Sequence, residues 1–475
     1  MKVLMFGWEF PPHISGGLGT ACLGLTKGLH AINNVEIIFV VPKVYGDENT
    51  GVAEIIGANQ YQNLPIKTTI LNKTETSTTV AYHATESILN TTSEIPKKFT
   101  QINLASILIP YLSPEQLEIV LEQNHISGSD IYFTPEGIPV YLQNDNEVEL
   151  KISYKDIEQA SDTETFEFTG KYGPLLSTEV IKFAEVARKI ASVYEFDIIH
   201  AHDWLTYIAG IEAKNISGKP LVIHVHATEF DRSGEHVNQF VYDIEKYGMD
   251  NADKIITVSN LTRDIVINRY GISQQKVHTV YNAVEFKPAH KIFKKTLNSK
   301  IVTFLGRITF QKGPEYFIEA AAKVLQSYNN VVFVMAGSGD LFRKMILRVA
   351  QLGISDKFYF TDFLQGTDVN HMFAISDVYV MPSVSEPFGI SPLEAMRSNV
   401  PTIISKQSGV SEILKHAIKV DFWDVNAMAD AIYALLTYDI LAKTFSEKGK
   451  IEVENLKWEQ AALQVKSVYD MIITS

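Results

Sequence analysis

Short, almost continuously apolar runs of strand length recur along the chain and constrain its fold more than any other feature. Val and Ile dominate these runs, and stretches with helical spacing lie between many of them. Strands that are apolar along their whole length are typical of parallel sheets covered by helices on both faces. Their alternation with helices predicts right-handed βαβ units and open α/β sheets. The runs occupy residues 35–41, 196–200, 221–225, 254–258, 301–305, 331–335, 377–381 and 401–404.

The order of these runs predicts more than one α/β domain. The 475 residues correspond to about two or three domains at roughly 150 residues each. Residues 1–285 are interpreted as the first domain, in which 60–165 lose the strand–helix rhythm and form an elaboration. Residues 286–299, rich in Lys and without periodicity, are interpreted as a linker. A second domain is predicted for 300–455, followed by a helix within 456–475.

The charge balance and the cysteine count exclude several classes of protein. Lys and Arg number 42 against 55 Asp and Glu, a net charge of −13, so binding to nucleic acid or to an anionic membrane is not expected. The single cysteine, Cys22, excludes an intrachain disulfide and a zinc site built on several cysteines. No apolar run reaches the roughly 18 residues that a transmembrane helix needs. We therefore expect a cytoplasmic protein.

A glycine-rich turn lies between the first strand and the first helix, at Gly16, Gly17 and Gly19. Glycine lets a backbone approach a ligand closely, and a helix N-terminus offers free N–H groups to a phosphate. A tight βα turn explains the same residues equally well. The pattern is neither G-x-G-x-x-G nor a P-loop.

Two histidine pairs end neighbouring strands, His200 with His202 and His224 with His226. Alternation puts each pair on one face of its strand. The pairs are compatible with a metal site, with buried structural histidines, or with one histidine at the ligand-binding edge of a parallel sheet. The lack of a further cysteine disfavours the metal site.

Gly306, Arg307 and Lys312 follow the strand at 301–305. Two cations at a βα turn can neutralise a pyrophosphate, since Arg offers two parallel N–H donors and Lys a point charge. The alternative is that both are ordinary surface cations.

The segment from Ser385 to Met396 carries the strongest signal. Ser391 and Glu394 have the spacing of a capping box with Pro392 at the first helical turn, so Glu394 has a structural explanation. Glu386 lies outside that helix, in a loop rich in Gly and Pro, where a carboxylate can accept hydrogen bonds from sugar hydroxyls. Two carboxylates eight residues apart are poorly explained by capping alone.

Together these blocks resemble retaining glycosyltransferases of the GT-B fold, in the broad family 4 group, and especially bacterial glycogen synthase-like members. The resemblance covers nearly the whole chain outside 60–165. It rests on the order and spacing of WEFPPHISGGLG, FDIIHAHDW, VIHVHATE, ADKIITVSN, VHTVYNAV, FLGRITFQKG, VMAGSGD and DVYVMPSVSEPFGISPLEAM. One departure is Ile14, which stands where bacterial glycogen synthases carry the Lys of Lys-x-Gly-Gly.

The resemblance implies an α/β fold of two Rossmann-like domains with parallel sheets that face each other across a cleft. The first domain would be the acceptor side and the second would bind the nucleotide sugar. The C-terminal helix would return to the first domain.

The resemblance also implies roles for individual residues. Glu386 would face the donor sugar, Glu394 the ribose hydroxyls, and His226 the sugar near its reacting carbon. Arg307 and Lys312 would neutralise the leaving diphosphate. Contacts to phosphate and sugar are implied for Gly16, Gly17, Phe388, Gly389 and Ile390.

The expected activity is retaining transfer of a hexose, glucose above all, from ADP-glucose or UDP-glucose to a glucan or another saccharide acceptor. A transferase of a sucrose-type, trehalose-type or cell-surface polysaccharide pathway is an alternative, as is a sugar-binding relative without turnover. No cofactor is expected, and no metal, because no Asp-x-Asp element follows a suitable strand.

Overall fold

The computed structural model describes residues 1–13, 16–32, 35–48, 51–61, 166–172, 176–285, 295, 298–364 and 366–473, and the backbone of short strands between 102 and 152. Most of the predicted elaboration at 60–165, most of the predicted linker and Ile14 therefore lie outside the described residues. The short strands form two small antiparallel sheets: Ile102–Asn103 with Lys151–Ile152, and Ile131–Phe133, Pro139–Gln143 and Asn146–Glu149.

Two larger sheets, each made of parallel strands, organise the rest of the chain. The first has seven strands: β1 (Lys2–Phe6), β2 (Glu36–Val41), β3 (Glu54–Gly57), β4 (Ile198–His202), β5 (Leu221–Val225), β6 (Lys254–Thr257) and β7 (Val277–Thr279). The second has six: β8 (Lys300–Leu305), β9 (Val331–Ala336), β10 (Phe358–Thr361), β11 (Val378–Met381), β12 (Thr402–Ser405) and β13 (Ile418–Val420). These sheets confirm the predicted α/β class with two Rossmann-like units.

Thirteen helices connect or cover the described strands. Those of the first half are α1 (Gly17–Ala31), α2 (Leu176–Val193), α3 (Trp204–Ser217), α4 (Glu229–Ser233), α5 (Gln239–Asn251) and α6 (Asn260–Asn268). Those of the second half are α7 (Pro314–Leu325), α8 (Phe342–Gln351), α9 (Thr367–Ile375), α10 (Ser391–Arg397), α11 (Val425–Thr437), α12 (Asp439–Glu454) and α13 (Trp458–Ile473).

Both sheets reverse their winding direction at one point. The first sheet runs in the order β7-β6-β5-β4-β1-β2-β3 and the second in the order β10-β9-β8-β11-β12-β13. In the first, the chain winds outward from β1 to β3 and then resumes at β4 on the other side of β1, where Met5 pairs with both Phe39 and His200. In the second sheet, the reversal lies between the paired strands β8 and β11. In open α/β sheets, ligands bind at the carboxyl ends of the strands that flank such a reversal.

The continuous apolar character of the strands follows from burial on both faces. In β1, Leu4 and Phe6 belong to the core under α2 and α3, whereas Val3 and Met5 belong to the core on the opposite face. A strand with one solvent-exposed face would alternate apolar and polar residues instead.

The C-terminal helix α13 completes the core of the first domain. Trp458 packs over Gly24 and Gly28 of α1, and a Cβ on Gly28 would lie 2.5 Å from the Trp458 carbonyl oxygen. Ala462, Val465 and other residues of α13 join the same apolar cluster as β1 and β2. Because Gly24 and Gly28 have no side chains, they form a groove that the Trp458 indole fills.

A shared core also joins the two domains. Val258 and Val284, which follow β6 and β7, lie in one cluster with Phe388, Leu393 and Met396 of the second domain. Glu412 of the second domain accepts hydrogen bonds from the N–H groups of Asn260 (3.0 Å) and Leu261 (2.8 Å) at the start of α6. Apolar and polar contacts therefore both fix the approach of the two sheets.

In the part of the chain that the structure describes, no single helix is long and apolar enough to cross a membrane. The pair α11 and α12 meets that criterion only when taken together, across a bend of 98°.

Replacing Gly28 with Ala is expected to weaken the docking of α13, because the new methyl group overlaps the Trp458 backbone. The cost should be about 1–3 kcal/mol of unfolding free energy, as for other overpacked cores. Urea unfolding and faster hydrogen exchange of the α13 amides measure it. Leu463→Ala, at a position of α13 that is 55 % exposed, is the control, and equal effects of the two variants would contradict this packing.

Candidate functional site

The candidate site residues lie at the carboxyl ends of parallel strands, at or next to the two reversals. Gly16 and Gly17 follow β1, and His226 follows β5 directly. Arg307 and Lys312 follow β8, and Glu386 follows β11. The topology therefore brings the first group to one edge of the first sheet and the second group to the matching edge of the second sheet.

Gly16 and Gly17 begin α1 beside open space. Gly16 has extended backbone (φ −174°), and a Cβ built on either glycine meets no described heavy atom within 4 Å. Glu9, which is buried, accepts a hydrogen bond from the Gly19 N–H at 3.1 Å and so satisfies one donor of the first turn. Packing among the described residues therefore does not require glycine at 16 or 17, in contrast to Gly28.

His226 is half-buried and belongs to a cluster of stacked histidines. Its Nε2 lies 3.0 Å from Nδ1 of His202, and its ring stacks on His224 with centroids 4.3 Å apart. Burial lowers the pKa of His226 and, together with the charge of the neighbouring rings, of His202. Both imidazoles are therefore neutral near pH 7.

Asp203 is a residue of this edge that sequence reasoning missed. It follows β4 with a positive φ of 64°, accepts a hydrogen bond from the Trp204 N–H, and lies 3.3 Å from buried Arg232. Burial raises its pKa and the Arg232 charge opposes that shift. A non-glycine residue in the left-handed region is strained, and such strain clusters at functional sites. The sequence signal was the Asp that directly follows HAH in HAHDW.

Arg307 and Lys312 occupy one turn after β8. The Arg307 guanidinium lies 3.4 Å from the side-chain oxygen of Gln311, which is buried. The backbone carbonyl of Gln311 accepts a hydrogen bond from the Val384 N–H at 2.9 Å. Gly313 follows with φ 62°, and a Cβ there would lie 2.2 Å from the Pro382 carbonyl oxygen. This turn is therefore anchored directly on the loop that carries Glu386.

The Lys312 ammonium and the Glu386 carboxylate form an ion pair of 2.5 Å. The Ser383 hydroxyl donates to the same carboxylate oxygen, Oε2, at 3.1 Å. Glu386 is only 6 % exposed, and its backbone is held by Gln407 and Gly409. Two groups that the sequence predicts as site residues are thus in contact, although 74 positions separate them.

The capping box predicted at Ser391 and Glu394 is wrong. Helix α10 begins at Ser391 with Ile390 as its N-cap, and no side chain caps it. Glu394 is therefore not explained as the partner in a capping box.

The loop before α10 reaches the first domain. Phe388 is buried in the interdomain core, Gly389 has φ 103°, and Ile390 packs against the apolar cluster that contains α1 and α13. Next to it, the Ser385 hydroxyl donates to Oδ1 of Asp231 in α4 at 2.6 Å. Burial raises the Asp231 pKa, and the Ser385 hydrogen bond opposes that shift.

The arrangement can bind an anionic ligand that also carries hydroxyl groups. Lys312 and Arg307 supply positive charge, Glu386 supplies a hydrogen-bond acceptor, and the open backbone at Gly16 and Gly17 lies at the opposing edge. The Asp231–Ser385 contact joins the two edges, between α4 and the residue that precedes Glu386.

Two family models match the chain. The model described as Glycosyltransferase Family 4 matches residues 161–287, and the model described as Glycosyl transferases group 1 matches residues 285–452. Their junction falls directly after Val284, which lies in the interdomain core.

Individual relatives agree with these models. An uncharacterized glycosyltransferase of Methanocaldococcus jannaschii is 31 % identical over 300 residues, which cover 59 % of this chain and 76 % of the relative. Sucrose-phosphate synthase of Thermosynechococcus elongatus superposes with a TM-score of 0.62 at 16 % identity, over 100 % of this chain and 99 % of that one. HepE of Anabaena, solved with UDP and glucose, superposes with a TM-score of 0.61 at 16 % identity, over 99 % and 100 %. The solved structures support the shared fold, and the sequence relative shows the family. The chain is therefore a GT-B glycosyltransferase of the family 4 type.

Proposed function

We propose that the chain transfers glucose, with retention of configuration, from ADP-glucose or UDP-glucose to a glucan acceptor, as a glycogen synthase does. The observation that carries this proposal is the Lys312–Glu386 contact beside Arg307, at the reversal of the second sheet. A cation at this position can bind the diphosphate of a nucleotide sugar, and the carboxylate beside it can accept hydrogen bonds from the sugar hydroxyls.

The positively charged groups of the site are proposed to act on the diphosphate of the donor. When the sugar leaves, negative charge grows on the diphosphate, and preorganised cations stabilise that charge. An ammonium group has three N–H donors, so Lys312 can keep its bond to Glu386 and still donate to phosphate. Arg307 adds a second cation, and the N–H groups at the start of α1 add dipoles from the first domain.

Glu386 is proposed to orient the sugar. Lys312 and Ser383 both contact Oε2, and Oε1 is the oxygen that would accept from a sugar hydroxyl. His226 would lie on the side of the first domain, and its neutral ring can accept or donate one hydrogen bond. Glu394 would bind the ribose.

Retention is proposed to occur by attack on the face that the diphosphate leaves. A double displacement needs a carboxylate nucleophile on the far face of the sugar, and no residue is assigned that role. Contact between the domains would exclude water and so limit hydrolysis of the donor.

The test is nucleotide release from ADP-glucose and UDP-glucose with glycogen as acceptor. Glycogen-dependent release of one nucleotide, with label incorporated into the polymer, supports the proposal. Turnover only with small or phosphorylated sugars would replace the glucan by another family 4 acceptor. Release that never exceeds the blank with any acceptor would favour a sugar-binding relative without turnover.

Removing one of the charged groups is expected to lower turnover strongly while the fold survives. Arg307→Ala, Lys312→Ala and Glu386→Gln should each reduce kcat at least about 100-fold, since each removes an interaction that grows in the transition state. Steady-state kinetics with a circular dichroism check measures this. Arg348→Ala, which breaks a surface pair with Glu319 (2.6 Å) in the same domain, is the matched control and should stay within about twofold of the parent chain.

The Asp231–Ser385 hydrogen bond is expected to contribute to the closed arrangement of the domains during turnover. Hydrogen bonds to charged groups contribute about 1.5–3 kcal/mol, so Ser385→Ala should lower kcat/KM roughly 10-fold. A double-mutant cycle with Asp231→Asn isolates the pair, because coupled residues give non-additive effects. Strictly additive effects would mean that the two side chains do not meet when the donor is bound.

A further inference from the structure

The histidine cluster next to His226 also contains the single cysteine. His200 and His202 in β4 and His224 in β5 share one face of the first sheet, since His202 pairs with His224 in the register. Helix α1 packs on that face and brings Cys22 to it. The sequence spacing of the histidines alone did not indicate this position of Cys22.

Ligand atoms of Cys22, His202 and His226 all lie within 4.8 Å of one another. The His202 and His226 nitrogens are already 3.0 Å apart, close to the roughly 3.3 Å between two nitrogens that bind one tetrahedral Zn²⁺ at about 2.0 Å. One thiolate and two imidazoles form a ligand set that suits Zn²⁺ and its analogue Co²⁺.

Ring nitrogens in the same cluster are buried without a partner. Among the described residues, His202 Nε2, His200 Nε2 and both ring nitrogens of His224 have no hydrogen bond, and the three rings are at most 2 % exposed. Buried polar atoms are normally satisfied, and exceptions point to a function or to a bound ion. His202 meets His226 through Nδ1, so its unpartnered Nε2 characterises the cluster and is not itself the ligand atom. His200 bonds Tyr469 of α13 through Nδ1, so the cluster is fixed from both sides.

We propose that Cys22, His202 and His226 form a binding site for one transition-metal ion of the Zn²⁺ type. Binding forms one bond from the sulfur and one from each imidazole. The thiol proton is released to the buffer, and no electron is transferred. The fourth position takes water and opens on the half-buried side of His226. The site does not supply a metal for the transfer reaction.

An ion at this site would affect the donor pocket. His226 would donate its Nε2 lone pair to the metal, so its Nδ1 would carry the proton and could no longer accept a hydrogen bond from a sugar hydroxyl. Turnover would therefore fall. This consequence rests on the proposed function, whereas binding of the metal does not.

The test is titration of the full-length chain, purified with a chelator and then freed of it, with Co²⁺. We expect one equivalent to bind with a thiolate-to-cobalt charge-transfer band, and Zn²⁺ to remove that band. Cys22→Ala should abolish the band. His13→Gln is the matched control, because it disrupts a surface group of His13, Asp47 and Glu48 and should leave the band intact.

Absence of the band in the parent chain, or its loss only in His13→Gln, would overturn the proposal. If Cys22→Ala fails to fold, X-ray absorption at the zinc edge of the parent chain decides the question. One sulfur and two imidazole nitrogens are expected there, and a shell of oxygen alone would refute the site.

Inhibition is measured separately. Zn²⁺ should reduce nucleotide release by the parent chain, and Cys22→Ala should retain its turnover at the same Zn²⁺ concentration. A cobalt band in a chain without any turnover would leave the metal site intact and count only against the proposed function.

Discussion

The reversal of winding in each parallel sheet is the constraint on which the rest of the molecule depends. Parallel strands place all their carboxyl ends at one edge, and the reversal forces the two flanking connections to opposite faces, which leaves a gap between them. Arg307 and Glu386 come from the two strands beside that gap in the second sheet, and Gly17 and Asp203 from the equivalent strands of the first. Residues far apart in the chain meet because of this topology.

The Lys312–Glu386 ion pair at the gap contributes more to holding charges in position for a ligand than to the stability of the fold. Removing Lys312 and Glu386 from water costs free energy, and in buried pairs the attraction often only offsets that cost. The anchors around the pair, which are Gln311 to Val384 and Ser383 to Glu386, hold it in one geometry. A ligand then meets charges that need little reorganisation.

Sequence analysis predicted the strands and helices that are determined by residues close to one another in the chain. Strands buried on both faces are continuously apolar, so β5 was predicted at its observed bounds, and the seven other predicted runs lie within two residues of observed strands. The shorter strands β3, β7, β10 and β13 were not among the predicted runs. The sequence also places Leu18, Cys22, Leu25, Leu29 and Ile32 at alternating spacings of four and three, which is typical of one helix face, and they lie on α1 and its C-cap.

Properties that depend on contacts distant in sequence were not predicted. The capping box failed because the loop before α10 places Ile390 at the N-cap, so that Ser391 is already the first residue of the helix. The positions of Cys22 beside His226 and of Ser385 beside Asp231 follow from how α1 packs and how the domains meet. The spacing of residues along the chain does not indicate such packing.

The return of α13 to the first domain has a consequence for how the chain acquires its structure during translation. Trp458 fills the groove over Gly24 and Gly28, and Tyr469 hydrogen-bonds His200, yet the ribosome makes both after every strand of the second sheet. Until they emerge, the nascent first domain exposes an apolar groove to solvent or to a chaperone. The core of the first domain is therefore complete only after the second sheet has been made, and a chain that stops before α13 would be prone to aggregation.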